Sequence, residues 1–573
     1  MANIYKYGTY GQLGESVAQS GVQAGTVAVY VGTAPVNLIR GYDDLNIINK
    51  PVKLSNLRDA QNKVGYTDDW GSFTLCEAIS AHFNNPLGNI GPIYVINVLD
   101  PDVHRKASST SKSLTFTGGR AEFVSDTIIL DTLTLPNLEE DTDYSVDYSF
   151  VKNAVIITSL NTSNPITGTV VATYYEVDDT LVDVDDIIGG VTSGGVYTGL
   201  GALQLLYPTE FAVANLIAAP GWSHIPRVYN ALVTAADKIN GHWDAFVLAD
   251  IPIVHTEEKA DDIAEAVDME TNIATLTEAD LDTDTLVVKP TSTGTAATIT
   301  TDYTFTYEDD VLTVTATSGG TLNNRTSIYI TCEHEDPVPE AVDTIALAQA
   351  WKTAHGYTNE RSKVCWPMVE NNTAQQFHLS TMATVELMRA DFTHNSVPME
   401  TCGNKAIPAI KQYFGNSTNA GFDQSTANEL TQKGITTAVA WAGRFVLWGN
   451  HTAAYTYGAD VDPRAIFDVN VRMLYYKLND FQREWAHDID KPMTRAMKDR
   501  IIVREQEKLD NDVRRGAFIG SPKIVFSETE NPTTDLMNGD FRFDGLMTPT
   551  PPGKSFTMVI AYTDAGFTDY FTA

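Results

Sequence analysis

The chain alternates between continuous apolar runs and stretches in which apolar residues recur every three or four positions. The continuous runs predict buried strands at 27–31, 93–98, 244–249, 362–367 and within 210–220. The helical spacing predicts helices between them at 75–83, 228–239 and 345–351. Strands that alternate with helices indicate an α/β domain. We call it the host domain and assign it to residues 21–103, 191–273 and 341–395.

The C-terminal third has a helical pattern of its own. Asp462 and Pro463 are typical of a helix start, because Asp caps free backbone N–H groups and Pro fits the first turn. A long helix is predicted next, with one apolar stripe formed by Phe467, Val471, Leu474, Leu478, Phe481 and Trp485. A second helix is predicted at 492–513, and strands at 523–526, 541–544 and 556–562. We assign 396–555 to a C-terminal core domain and 556–573 to a C-terminal strand and arm.

Two stretches, 104–190 and 274–340, interrupt the host pattern. They are rich in Thr, Ser, Asp and Val with period-two alternation, which predicts small antiparallel β modules. Both contain the spacing Asp-Tyr-x-x-x-Tyr, at 143–148 and 302–307. We interpret them as two related β-sandwich-like insertions; chance similarity between Thr-rich segments is the alternative. The first has 14 acidic and 5 basic residues and the second 12 and 2, so both are strongly negative.

The charge of the whole chain restricts its partners. Its 573 residues include 73 acidic and 39 basic side chains, a formal net charge of −34. Nucleic acids and anionic membranes bind clustered Lys and Arg, so the sequence predicts no direct nucleic-acid or membrane partner. No apolar run approaches the roughly 20 residues of a membrane helix, and no secretory signal opens the chain. The cysteines are too widely spaced for a zinc knuckle and predict reduced thiols: Cys76, Cys332, Cys365 and Cys402.

Motifs for catalysis or cofactor binding are missing from the sequence. It contains no phosphate-binding loop, no dinucleotide-binding glycine motif and no nucleophile elbow. The run Cys-Glu-His-Glu-Asp at 332–336 is interpreted as a solvated hinge rather than a metal site, because neighbours on a strand point to opposite faces. His242, His487 and the acidic pair at 257–258 are interpreted as structural or surface residues. We therefore predict no enzyme activity, no cofactor, and no catalytic or metal-binding residues.

Several segments, taken in order, resemble the tail sheath proteins of contractile-tailed phages. The matching segments are 32–35, 49–52, 448–452, 485–492, 538–543 and 548–552. In Trp-Gly-Asn-His-Thr at 448–452, His451 stands where the family has Arg, which puts the role of that arginine in doubt. The resemblance covers 21–101, 199–273 and 341–562 and leaves out both insertions.

The resemblance implies a structural protein of the α+β multidomain class. The α/β host domain would be interrupted by two small β-sandwich-like insertions and followed by an α+β C-terminal polymerisation domain with extended N- and C-terminal arms. Such a protomer polymerises as hexameric rings around an inner tail tube and contracts to drive the tube through the host cell envelope. Its partners would be itself, the inner tail tube protein, and baseplate and tail terminator proteins. It would act in the phage tail after assembly in the host bacterial cytoplasm.

Subunits of this family are linked by strand donation, and both termini here suit that role. Residues 1–20, the predicted N-terminal arm, are polar and Gly-rich, while the chain ends in aromatic residues. The predicted anchors are Tyr5, Tyr7, Tyr10, Phe567, Tyr570 and Phe571. Extended termini with such anchors favour β-augmentation of a neighbouring sheet. The alternative is that both termini pair within their own chain.

A helix of the family's C-terminal domain contacts the tube. Residues 491–515 hold eight basic and five acidic residues, and Arg500, Arg504 and Lys508 step by four along one helix face. We predict that this face meets an acidic belt on the tube. An ordinary solvated helix with alternating salt bridges is the alternative.

Two other classes of function remain open on the sequence. An envelope-acting enzyme with two β binding modules would need a convergent catalytic set. A surface adhesin with Ig-like modules would need those modules to form most of the chain, whereas here they interrupt an α/β host. A phage protein and a phage-tail-like bacteriocin are not distinguished.

Overall fold

The structure is a computed structural model that describes residues 25–256, 262–335 and 338–571. The chain divides into two compact units, one formed by Met1–Pro252 with Thr344–Ala573 and the other by Ile253–Asp343. The larger unit is built on an eight-stranded sheet, which we call the host sheet. In spatial order its strands are Pro51–Leu54, Ile93–Asn97, Ala28–Gly32, Leu216–Ala218, Phe246–Asp250, Ser362–Cys365, Ile435–Trp441 and Arg444–Trp448.

The apolar runs of the sequence lie at the centre of the host sheet. The six central strands are parallel, and the strand at each edge is antiparallel to its neighbour. Every residue of Ala28–Gly32 and Ile93–Asn97 is buried, as expected where a parallel sheet is covered on both faces. The helices of this part are Tyr42–Leu45, Leu57–Lys63, Leu75–Phe83, Val184–Ile188, Leu206–Glu210, Pro226–Ala235, Ile345–Ala354, Leu379–Thr393 and Gln424–Thr431.

Two predicted domain boundaries are wrong. Ile435–Trp441 pairs in parallel with Ser362–Cys365 and continues into Arg444–Trp448, so part of the predicted C-terminal core domain 396–555 belongs to the host sheet. Ile263–Glu270 pairs with Ser327–His334, so the second β region begins before residue 274. Both errors have one cause: pairing between strands distant in sequence leaves no mark on the local pattern.

The two β regions share one order of antiparallel pairs. In the first, the strands are Thr110–Phe116, Arg120–Val124, Tyr144–Ser149, Ala154–Ser159 and Gly168–Tyr174. The first pairs with the fifth, and the fourth pairs with the second and third. The same pairs recur in the smaller unit between Ile263–Glu270, Ile273–Thr277, Tyr303–Glu308, Val311–Ala316 and Ser327–His334. There Leu281–Lys289 adds a sixth strand, and all six form one sheet.

The repeated Asp-Tyr spacing marks the same turn in both regions. The carboxylate of Asp143 accepts the backbone N–H of Glu139 at 2.9 Å, and that of Asp302 accepts the N–H of Thr298 at 2.8 Å. In each case the tyrosine that follows begins a strand and is buried. The predicted similarity of the two regions therefore extends to individual hydrogen bonds.

Two antiparallel helices dominate the C-terminal region, and we call them the helical hairpin. The first hairpin helix is Asp468–Trp485 and the second is Arg495–Arg515. Thr494 caps the second helix by accepting the N–H of Met497 at 3.1 Å, and Gly516 ends it with a φ of 85°. Phe518–Val525 and Asp544–Pro549 form a two-stranded sheet, and the short helices Thr533–Asn538 and Ala565–Phe571 complete the region.

The first hairpin helix buries more than the single predicted stripe. Val471 packs into the main core, while Val469 and Met473 pack into a separate C-terminal core. Leu478, which the stripe includes, is 49% exposed. The helix lies between two cores, so its buried residues cannot share one narrow face.

Candidate assembly surfaces

The C-terminal arm, 556–573, follows a segment that contacts the body of the protein. In that segment the backbone N–H of Thr550 donates to the Ala517 carbonyl at 3.0 Å, and Nζ of Lys554 lies 5.3 Å from the centre of the Tyr455 ring. Residues 556–562 lie outside any helix or strand. The side chains of Phe556, Met558, Val559, Ile560 and Tyr562 are 79–92% exposed. The strand predicted at 556–562 is therefore not formed within this chain. A strand requires a partner for its backbone groups, and no neighbouring segment supplies one among the described residues.

The predicted aromatic anchors divide into two groups. Tyr5, Tyr7 and Tyr10 lie outside the described residues. Phe567 and Tyr570 are 59% and 80% exposed on the helix Ala565–Phe571, which Phe571 ends. The C-terminal anchors are thus helical in a single subunit, because a helix satisfies its backbone groups locally. Their role in strand donation stays a prediction.

The basic row of the second hairpin helix faces the first hairpin helix. Its three side chains each lie close to a carboxylate, and we call this arrangement the charge ladder. The pairs, at N–O distances of 3.0, 3.3 and 3.0 Å, are Arg500 with Asp488, Arg504 with Glu484 and Lys508 with Asp480. The two arginine side chains remain 57% and 53% exposed, and that of the lysine 17%. Contact of this row with an inner tube stays a prediction, but its bases already have partners within the chain.

The charge ladder has a signal in the sequence, but it is visible only when the acids before the turn are compared with the bases after it. Asp480, Glu484 and Asp488 step by four, as the three bases do. Each acid and its base lie equally far from Thr494, the cap of the second helix. Mirror symmetry about a turn is expected when the facing sides of an antiparallel helix pair have opposite charge.

A fully buried ion pair joins the host sheet to the helical hairpin. Nζ of Lys363 lies 3.0 Å from a carboxylate oxygen of Asp468, and both side chains are 0% exposed. Lys363 also donates to the backbone carbonyl of His451 at 3.2 Å. A second buried pair forms one turn further along the helix, between Arg472 and Asp391. The sequence signal for this pair is a lysine inside the predicted buried strand 362–367, because a buried charge needs a partner of opposite charge.

His451 supplies a neutral ring where the resembled family has arginine. The ring stacks on Tyr455 at 3.5 Å and on Phe467 at 5.1 Å between centroids. Its Nδ1 lies 2.8 Å from the Ile466 carbonyl. Burial lowers the pKa of His451 to about 4, so the ring is uncharged at neutral pH. Lys554, at the root of the C-terminal arm, lies 5.3 Å above the Tyr455 ring.

In the crevice where open α/β sheets bind ligands, the space beside two glycines is occupied here by a side chain of the protein itself. This crevice lies at the carboxyl ends of Ala28–Gly32 and Leu216–Ala218, where the strand order reverses. A Cβ added to Gly32 would lie 2.3 Å from Oγ1 of Thr74, and one added to Gly221 would lie 2.8 Å from Cγ2 of the same residue. The glycines therefore make room for the Thr74 side chain rather than for a phosphate.

Next to this crevice is a buried polar cluster. Nδ1 of His378 lies 2.6 Å from a carboxylate oxygen of Glu77. Asp250 accepts the backbone N–H of Ser380 at 2.9 Å and the hydroxyl of Ser223 at 3.3 Å. Burial lowers the pKa of His378, but the adjacent Glu77 outweighs it and the pKa rises to about 9. Burial also raises the pKa of Asp250. The cluster ties a helix start to the sheet and holds a charged imidazolium at neutral pH.

The ligand-rich run at 332–336 is split by its strand. Cys332 and His334 are buried and Glu333 is exposed, as the alternation of a strand requires. Across the ranges that the structure describes, no three His, Cys, Asp or Glu side chains are placed to hold a metal ion. Within those same ranges, no helix is both long and apolar enough for a membrane span.

The chain is similar in sequence to the tail sheath protein of Burkholderia phage BcepMu. The two are 26% identical over 249 residues, which is 41% of this chain and 49% of the relative. The chain therefore matches about half the length of that relative. This similarity confirms the resemblance seen in the sequence motifs, and it agrees with the prediction that the chain is not an enzyme. No model of a known protein family matches.

The chain is also similar to solved structures of contractile injection systems and of a sheath tail protein. The sheath complex of an extracellular contractile injection system, in its contracted state, is 10% identical with a TM-score of 0.46, covering 99% of this chain and 100% of that one. A chain of the anti-feeding prophage baseplate is 13% identical with a TM-score of 0.45, and the match covers 97% of this chain and 98% of that one. The sheath tail protein of Desulfitobacterium hafniense is 10% identical with a TM-score of 0.41, and the match covers 90% of this chain and 93% of that one.

Proposed function

We propose that this chain is a structural subunit of a contractile tail sheath, proceeding from its similarity to a phage tail sheath protein. In the proposed assembly, subunits form hexameric rings stacked around an inner tail tube. Baseplate and tail terminator proteins bind the two ends of the polymer. Contraction then drives the tube through the host cell envelope. The chain would assemble in the bacterial cytoplasm and act in the phage tail.

The exposed C-terminal arm is the observation that supports polymerisation most directly. Phe556, Met558, Ile560 and Tyr562 are spaced by two, so they would share one face of an extended strand. Each is at least 79% exposed, and a contiguous apolar segment of this kind marks an interaction site. A sheet edge in a neighbouring subunit would supply both the backbone partners and the apolar cover.

Removing the arm tests this proposal. A chain that ends at Ser555 should fold with an unchanged melting temperature, because residues 556–562 bury little within their own subunit. It should fail to form tubes in negative-stain electron microscopy. Tubes of normal yield from the truncated chain would refute the role of the arm.

A matched pair of variants separates the strand face from general hydrophobicity. Serine at Phe556, Met558, Ile560 and Tyr562 should abolish polymerisation. Serine at Val559 and Ala561, on the opposite face of the proposed strand, should weaken it less. Equal loss from both variants would argue against a donated strand with one buried face.

The N-terminal arm and the insertions complete the proposal. Deletion of residues 1–20 should leave a folded monomer that forms no sheath, since the family resemblance implies a second donated strand there. The two negative insertions would lie on the outer surface, where their repulsion keeps neighbouring tails apart. The basic row of Arg500, Arg504 and Lys508 would contact the inner tube through its exposed guanidinium groups.

A further inference from the structure

A fourth ion pair continues the charge ladder with reversed polarity. Nζ of Lys477 on the first hairpin helix lies 3.0 Å from a carboxylate oxygen of Asp512 on the second. Both side chains are nearly buried, at 8% and 7% exposed. In the other three pairs the base lies on the second helix, and the acid lies on the first helix or, in the case of Asp488, in the turn that directly follows it. We infer that the reversed Lys477–Asp512 pair locks the register of the helical hairpin against sliding by one turn.

Three pairs of uniform polarity cannot fix the register by themselves. The acids and the bases both repeat every four residues, so a one-turn slide of about 5–6 Å brings each base to the next acid. Two of the three attractive pairs survive a slide in either direction. Side-chain packing between helices favours such discrete one-turn steps over continuous displacement.

The reversed pair penalises both slides. A slide in one direction places Lys508 against Lys477, and a slide in the other places Asp512 against Asp480. Each creates a like-charge contact at a position that is largely shielded from water. Selection of one register by a single buried polar pair is the best-attested use of such pairs.

This inference is independent of the proposed function, and the full chain can test it. The exchange of Lys477→Asp with Asp512→Lys keeps the composition, the net charge and an ion pair at this level. It makes all four pairs uniform in polarity, so neither slide produces a like-charge contact. Spin labels at Leu478→Cys and Val503→Cys report the register, because both positions are exposed and outside the ladder. The native cysteines are buried, so labelling is selective.

The parent should show a single distance between the labels. In the exchanged variant, a second distance, displaced by up to about 5–6 Å, should gain at least tenfold in population. A single distance identical to that of the parent would overturn the inference and assign the register to apolar packing around Leu509. The corresponding exchange of Lys152 and Glu122, an exposed pair in the first β region, should leave the distance unchanged.

A second variant covers the case in which the exchanged chain does not fold. Lys477→Met combined with Asp512→Leu replaces the pair by apolar side chains, a change that buried ion pairs often tolerate without loss of stability. It also removes the like-charge penalty of each slide, so the second distance should appear here too. A single parent-like distance in this folded variant would equally overturn the inference.

Discussion

At the scale of single residues, the joint between the host sheet and the helical hairpin depends on Lys363. Its ammonium group has no contact with solvent and is neutralised by Asp468. Replacement of Lys363 by Met should lower the free energy of unfolding by about 3–5 kcal/mol, because it leaves the carboxylate buried and unpaired. Chemical denaturation measures this change. Adding Asp468→Asn to Lys363→Met should recover part of the lost stability. Lys152→Met, at an exposed ion pair, is the control and should have a far smaller effect. Additive losses from Lys363→Met and Asp468→Asn in the double variant would contradict the pairing.

His378 should make stability depend on pH. Its pKa is raised to about 9 by Glu77, above its ordinary value near 6.5. A raised pKa stabilises the fold fully below pH 6.5, and this contribution disappears as pH rises to about 9. The melting temperature of the His378→Gln variant should therefore lie furthest below that of the parent under pH 6.5 and approach it near pH 9. A difference that stays constant from pH 6 to 9.5 would exclude this linkage.

At the scale of elements, the charge ladder changes how the proposed tube contact must be tested. Glutamate at Arg500, Arg504 and Lys508 would place like charges against the first hairpin helix as well as against a tube. This triple reversal should therefore reduce both the thermal stability of the chain and the yield of extended sheath assembled on tubes. Contracted sheath without a tube should be affected less.

A compensating variant separates the two effects of the reversal. Lysine at Asp480, Glu484 and Asp488, combined with the triple reversal, restores attraction within the hairpin but not towards the tube. Recovery of stability without recovery of tube-dependent assembly would support the tube contact. Recovery of both would confine these bases to a role within the chain.

At the scale of the whole molecule, the two β regions differ in how they are attached. Leu38 of the host domain packs into the core of the first β region. Arg40 of the host forms an ion pair with Glu140 of that region, at an N–O distance of 2.7 Å. The second region is a compact unit of its own, Ile253–Asp343, whose first and last strands pair at Val254 and Ala341. A deletion of only the predicted insertion, 274–340, would leave the strand Ile263–Glu270 without its partner Ser327–His334, so the whole unit has to be removed.

Deletion of residues 253–343 with a short Gly-Ser link should leave folding and polymerisation intact, because this unit contributes no strand to the host sheet. Deletion of 106–188 should lower the melting temperature, because it uncovers Leu38 and removes Ile129, Val177, Val182 and Ile187 from the main core. Calorimetry and electron microscopy measure the two outcomes. Loss of polymers from the 253–343 deletion would show that the second region is structural.

Most elements of the host sheet, and the chemistry of their side chains, follow from the local sequence pattern. Apolar runs located the central strands, and the predicted helix at 75–83 agrees with Leu75–Phe83. The Asp-Tyr spacing predicted two similar β regions, and the basic row lies on one helix face as expected. These features depend on the spacing of buried positions along a helix or strand and on contacts between residues a few positions apart. Both can be recognised from the local sequence.

Which surfaces meet becomes visible only in the folded chain. It joined Ile435–Trp441 to the host sheet, placed the first hairpin helix between two cores and set Lys363 against Asp468. A backbone N–H or a buried charge is satisfied by any segment that brings a suitable partner. The local sequence pattern therefore cannot specify which distant segment supplies that partner. The exposed run at 556–562 has the alternation of a strand but no strand partner in the described chain. Its conformation therefore depends on a surface that a single subunit does not provide, because a strand needs a neighbour for its backbone hydrogen bonds.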